Sequence, residues 1–202
     1  MAPTGDARPA ASDPRTGAAP YSRRLRLPWL TGEEAGPSPA RVTFLADHVE
    51  FGITVLHIHH QGEDELLYPK LIERVPGQAP VTEQVEQEHE AIKTALDAAS
   101  DACSAWRQAP SADTREALAA ALDHVNAVVL PHLDDEENKV VPLAAVTLTQ
   151  QEWDALGKHG ASQFPPNKRA IAFGMLLDPL DEADRAHIRR RCQPSSGPSI
   201  RS

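Results

Sequence analysis

Three long stretches of this chain space their apolar residues three and four apart, and that spacing demands helices packed side by side. From Ala40 to Glu73 the apolar positions include Val42, Leu45, Val49, Ile53, Leu56, Leu67 and Leu71. From Val81 to Arg107 they include Val85, Ile92 and Leu96, and from Asp113 to Ala145 they include Leu118, Ala121, Leu122, Val125, Val128, Val129 and Leu133. Each stripe covers one face of a helix, which must be buried against another helix. Apolar residues make up 41% of the 202 and aromatics only 4%, so the core is built from Ala, Leu, Val and Ile. No β-branched or aromatic run competes as a strand. The expected class is all-α, an antiparallel up-down bundle with short connections.

Breakers divide the chain further. Residues 1–38 read as a disordered arm carrying the remnant of a first helix in YSRRLRLP (21–28), which Pro28 stops. Residues 39–148 form the bundle, with a reversal at VPGQAP (75–80) and a turn at QAPSADT. Thr82 reads as a helix cap, Pro69 as a kink or stop, and Pro131 and Pro142 as interruptions of the third helix. Residues 149–192 form a helical extension: a short helix over 150–158 capped by Thr149, an irregular GKHGASQFPPNK, then helices over 168–178 and 181–192. Residues 193–202 read as a disordered tail.

The formal charge of −9 and pI of about 5.4 argue against nucleic acid or an anionic membrane as partner. No apolar run approaches the roughly 20 residues of a membrane span. The first twenty residues hold no apolar signal core, so a cytoplasmic location is expected. Cys103 and Cys192 are the only cysteines, which excludes a disulfide framework and a cysteine-rich zinc site.

One pattern occurs twice. HHQGEDELLYP and HLDDEENKVVP both carry His-x-x-x-Glu with a Pro six residues after the Glu: His59, Glu63, Pro69 and His132, Glu136, Pro142. Residues four apart share a helix face. Two such helices packed face to face aim two imidazoles and two carboxylates at one point. His89 lies on the helix between them, flanked by Val85, Ile92 and Leu96 on its apolar face. Buried carboxylates need a counter-charge, and first-row divalent metals of borderline softness accept imidazole and carboxylate together. A carboxylate can also bridge two metals. The expected metal ligands are therefore His59, Glu63, His89, His132 and Glu136.

The segments HHQGEDELLYPKL, EQEHEAI and LPHLDDEENKVVPLA resemble the hemerythrin-like proteins, the HHE cation-binding family, over roughly residues 40–145. ADHVEF, LTQQEWDALGKHG and AFGMLL are similar to a subgroup with a C-terminal helical extension. The resemblance implies a four-helix bundle holding a non-haem di-iron centre that binds oxygen or nitric oxide, as carrier, sensor or detoxifier. The family's leading His is absent. Arg23 and Arg24 are present, but GAAPYS before them holds no His. His48 precedes His59 by 11 residues, about 16 Å along one helix, too far to share a site. Tyr21 is an oxygen ligand only if residues 18–27 fold over the bundle. Five ligands in place of six leave one iron with an open position, or a single metal, or a decayed site. These imply a diatomic binder, a di-iron oxidase or peroxidase using peroxide, or a metal-poor interaction module whose shortened first helix is covered by a second copy.

The remaining candidates take structural readings. His60 points about 100° from His59, and His57 faces the surface. His124, His159 and His187 face water or pack. Asp64, Glu65, Asp134, Asp135 and Glu137 are solvated or orient a ligand. Cys103 is a small core residue, and Trp29, Trp106 and Trp153 are packing residues.

Overall fold

In the computed structural model of the chain, the described residues are 38–177 together with Glu182 and Arg185. They are helical, with no strand among them. Helix α1 spans Pro39–Leu66, with proline in its first turn, where a missing N–H costs nothing. Its buried stripe of Val42, Leu45, Ala46, Val49 and Ile53 continues into His60, Gly62 and Glu63. The helix breaks at Leu67, and Pro69 lies in the first turn of the short α2, Tyr68–Arg74. Pro69 therefore ends the long helix, the second of the two outcomes its position allowed. A 3-10 turn, Pro76–Gln78, reverses the chain.

Helix α3 runs Ala79–Gln108. It starts with Gln78 at the cap, so Thr82 lies inside the helix and does not cap it. Pro80 in the first turn favours this earlier start. Val85, His89, Ile92, Leu96, Ala99, Cys103 and Trp106 are buried along it, a seam stepping by four and three in alternation, with Ala95 buried beside it. Helix α4, Ala112–Asp135, begins with a reciprocal cap between Ser111 and Thr114. Pro131 is accommodated inside it. A π turn, Glu136–Val140, then leads into α5, Val141–Thr147, whose first turn holds Pro142.

Helix α6, Gln150–Gln163, has Thr149 and Glu152 as its capping pair. The stretch from Gly157 to Gln163, expected to be irregular, is helical. Packing supplies what propensity lacks. A Cβ on Gly62 would meet His159 at 3.6 Å, a Cβ on Gly160 would meet Ile58 at 3.8 Å, and Phe164 stacks on Phe51 with centroids 5.7 Å apart. Arg74 fastens the start of α6 through Glu152 at 2.6 Å. As numbers rise along α6, their partners fall along α1, so α6 lies antiparallel on α1. Helix α7 follows, Pro166–Leu177. The expected helix over 181–192, His187, and the arm and tail readings lie outside the described residues, apart from Ser38, Glu182 and Arg185.

Helix α3 stands between α1 and α4 and packs against both. Two apolar clusters result. The larger joins Val42, Leu45, Ile53, Ile92, Leu96, Trp106, Val125 and Leu133. The smaller joins Leu67, Tyr68, Leu71, Val85, Val140 and Ala144. His89 falls between Val85 and Ile92, and Glu136 between Leu133 and Val140, so a polar layer is enclosed between two apolar ones. No described helix is long and apolar enough to cross a membrane.

Candidate metal centre

The polar layer holds five buried groups: His60, Glu63, His89, His132 and Glu136. Helix α1 contributes His60 and Glu63, α3 contributes His89, and α4 with its π turn contributes His132 and Glu136. The rings of His60, His89 and His132 form a triangle with centroids 4.8–5.2 Å apart. Their ligand-capable nitrogens lie within 4.8 Å of one another, as do those of His89 and His132 and the carboxylate oxygens of Glu63 and Glu136.

His59 stands on the other side of the carboxylates. Its Nε2 is 3.5 Å from Glu63 Oε1 and 3.7 Å from Glu136 Oε2. The opposite oxygens face the ring triangle: Glu63 Oε2 is 3.8 Å from His89 Nε2, and Glu136 Oε1 is 3.7 Å from His132 Nε2. Each carboxylate thus spans from one imidazole to another. All five expected ligands converge here, four from the repeated motif and His89 from the helix between its copies. His60 joins them, contrary to the structural reading given to it. At about 100° per residue Glu63 falls between His59 and His60 around the helix axis, so both imidazoles flank its carboxylate.

Three imidazoles are oriented through Nδ1, leaving Nε2 toward the centre. His89 Nδ1 is 2.7 Å from Asp64 Oδ1, His132 Nδ1 is 3.0 Å from Glu88 Oε2, and His60 Nδ1 donates to the Leu56 carbonyl at 2.8 Å. Such partners fix tautomer and ring direction in metal sites. Asp64 therefore orients a ring, one of the two roles open to it, and Glu88, which the sequence pattern does not mark, does the same for His132. Tyr68 adds a hydroxyl donating to Glu136 Oε1 at 3.2 Å.

The donor set fits a divalent cation. His60 Nε2, Glu63 Oε2, His89 Nε2 and His132 Nε2 are buried with no hydrogen-bond partner, an arrangement costly unless a cation accepts their lone pairs. Electrostatics agree. Burial, then the rings of His59, His89 and His132, push the His60 pKa down to about 2. Burial likewise lowers His89, outweighing Asp64. Both rings are thus neutral, as ligation requires. Burial pushes Glu63 well above the usual carboxylate range, opposed in part by His59. Burial also acts upward on Glu136, but the hydrogen bond and charge of His59, with the charge of His132, bring it down to about 2. Burial acts downward on His59, and the Glu63 and Glu136 charges overcome it and raise its pKa to about 9.

The other candidates lie elsewhere. His57 faces Asp97 at 3.5 Å, His124 is exposed, and His159 is 3.5 Å from Glu65. Asp135 pairs with Lys139 and Gln84. Cys103 is buried against the Ala46 carbonyl, and burial pushes its thiol up to about 12. Trp106 is 1% exposed, as a packing residue should be, whereas Trp153 is 36% exposed. A cavity of about 610 Å³ opens between α1 and α3, with Asp64, Tyr68, His89 and Lys93 in its wall.

The family model described as the hemerythrin HHE cation-binding domain matches residues 26–144. No curated protein matches the chain, and no solved structure does.

Proposed function

Because the chain belongs to the hemerythrin HHE cation-binding family, we propose that its His/Glu cluster holds two irons and binds oxygen or nitric oxide. One observation carries this reading: Glu63 and Glu136 each turn one oxygen toward His59 and the other toward His89 or His132. Two carboxylates that each face two ways suit a pair of cations better than a single one. His60, His89 and His132 would hold the ion at one end and His59 the ion at the other. The His59 end has fewer donors among the described residues, and the His59 side chain is 40% exposed. That end offers access for a diatomic ligand. Iron in such a site supplies reversible ligation of small molecules coupled to one-electron redox change.

The protein's own groups set the conditions for this chemistry. Four imidazoles, neutral when they ligate, and only two carboxylates would leave two divalent ions with net positive charge, which favours the reduced, ligand-accepting state. Apolar layers flank the cluster above and below, while the His59 side stays open to solvent. Asp64 and Glu88 hold His89 and His132 so that their Nε2 atoms stay directed inward.

The test is iron content per chain with visible spectra in air, after reduction, and with nitric oxide. Two irons with near-ultraviolet charge-transfer bands that respond to reduction and to nitric oxide are expected. A folded chain without iron, or a spectrum indifferent to oxygen and nitric oxide, overturns the reading. The cavity favours a second reading, a peroxide-consuming or oxygen-activating oxidase, because about 610 Å³ exceeds what a diatomic needs. Peroxide turnover that persists in Glu63→Ala would exclude it.

A further inference from the structure

Tyr68 opens α2 directly after the break at Leu67, and it is 6% exposed. Its ring stands edge-on to His89 with centroids 5.5 Å apart, and its hydroxyl donates to Glu136 Oε1 at 3.2 Å. That is the oxygen facing His132. The matching oxygen of the other carboxylate, Glu63 Oε2, is buried with no hydrogen-bond partner. The two carboxylates are therefore not equivalent, and a phenol makes the difference. A ring without a hydroxyl would fill the same space between Leu71, Val85 and Val140.

We propose that Tyr68 is a positioning residue of the metal centre, whose phenol holds Glu136 at the three-imidazole end and weakens that carboxylate as a donor to the ion bound there. The inference rests on the di-iron reading above. An ionised carboxylate oxygen that accepts a hydrogen bond gives up part of its charge to the donor. A weaker anionic ligand stabilises the oxidised ion less, so the bond raises the reduction potential of that end. Glu63 lacks such a donor on its matching oxygen and keeps its full donor strength. The phenol also lines the cavity between α1 and α3.

Tyr68→Phe removes the hydroxyl and keeps the ring. In the iron-loaded full chain the reduction potential of the variant is expected to fall by about 59 mV, a tenfold shift in a one-electron equilibrium, with iron per chain unchanged. An unchanged potential at unchanged iron content overturns the Tyr68 role and leaves the di-iron reading standing. Loss of iron from a folded variant shows that Tyr68 is needed for binding and overturns the tuning role. A wild-type chain that takes up no iron overturns both. A second measurement does not depend on that variant folding. The chain holds two tyrosines, Tyr21 and Tyr68, so in Tyr21→Phe the tyrosine Raman doublet reports Tyr68 alone. A donating hydroxyl in the iron-loaded protein is expected, and a non-donating one overturns the proposal.

Discussion

Glu88 reaches from α3 to α4 and holds His132, with Oε2 3.0 Å from Nδ1. Its neighbour on the same helix, His89, is held in turn from α1 by Asp64 at 2.7 Å. Helix α1 therefore orients an imidazole of α3, and α3 orients one of α4. Cation binding and bundle packing are coupled through these carboxylates.

Glu88→Ala should weaken divalent-cation binding by about 10- to 100-fold, the usual consequence of removing a partner that orients a ligating histidine. Helicity should be largely retained, since Glu88 is only partly buried and belongs to neither apolar cluster. A chelator-competition titration compares the two proteins. Equal affinities would show that packing alone holds the His132 ring.

Glu63→Gln separates function from stability by sign. Burial pushes the Glu63 pKa well above its usual range, so in the metal-free protein the amide replaces a group already inclined to be protonated. The metal-free variant should be as stable as the parent, or more so. A ligand at a thousand times its dissociation constant stabilises by about 4.1 kcal/mol, and the variant should lose most of that gain. Thermal melts with and without metal measure both arms. A metal-free variant much less stable than the parent would contradict the account.

Much of this could be read from residues alone, and the limits have physical causes. The apolar stripes of α1, α3 and α4 are periodic, and the repeated His-x-x-x-Glu motif placed His59, Glu63, His132 and Glu136 on the right faces. The step of about 100° from His59 sets His60 off the motif's own residues, yet the centre lies toward Glu63, between the two rings, so both imidazoles reach it. Asp64 and Glu88 act across helix interfaces, which periodicity within one helix does not report. The glycines of α6 read as breakers, yet Gly160 is where that helix comes within contact of Ile58 on α1. The π turn at Glu136–Val140 inserts a residue without any compositional mark.

Trp106→Ala should be destabilising without being specific to the centre. Trp106 is 1% exposed in the larger apolar cluster, 17 residues beyond His89 on α3, about 25 Å along the axis. Removing a buried tryptophan side chain costs about 3–5 kcal/mol. Urea unfolding should show that loss, while cation affinity measured well below the unfolding midpoint should match the parent. A large fall in affinity would mean that packing at this end of the bundle controls ligand geometry at the other.

His60 and His59 should lower the stability of the metal-free protein on opposite sides of pH 6.5. His60 has a folded pKa near 2 against 6.5 for the ordinary side chain. Its contribution is present above pH 6.5 and is lost as pH falls from there toward 2, because the unfolded chain takes a proton that the buried ring refuses. His59 runs the other way. Its folded pKa is raised to about 9, so its contribution is full below 6.5 and is lost as pH rises through 9. Solvent reaches 40% of the His59 side chain, and screening makes this basic limb the shallower one. Denaturation midpoints of the metal-free chain across pH 4–10 trace both limbs. His60→Phe should make the acid limb shallower, leaving what His89 and Glu136 add to it, and spare the basic one. An acid limb that stays as steep in that variant would assign it to other groups and leave His60 without the buried, neutral state that ligation requires.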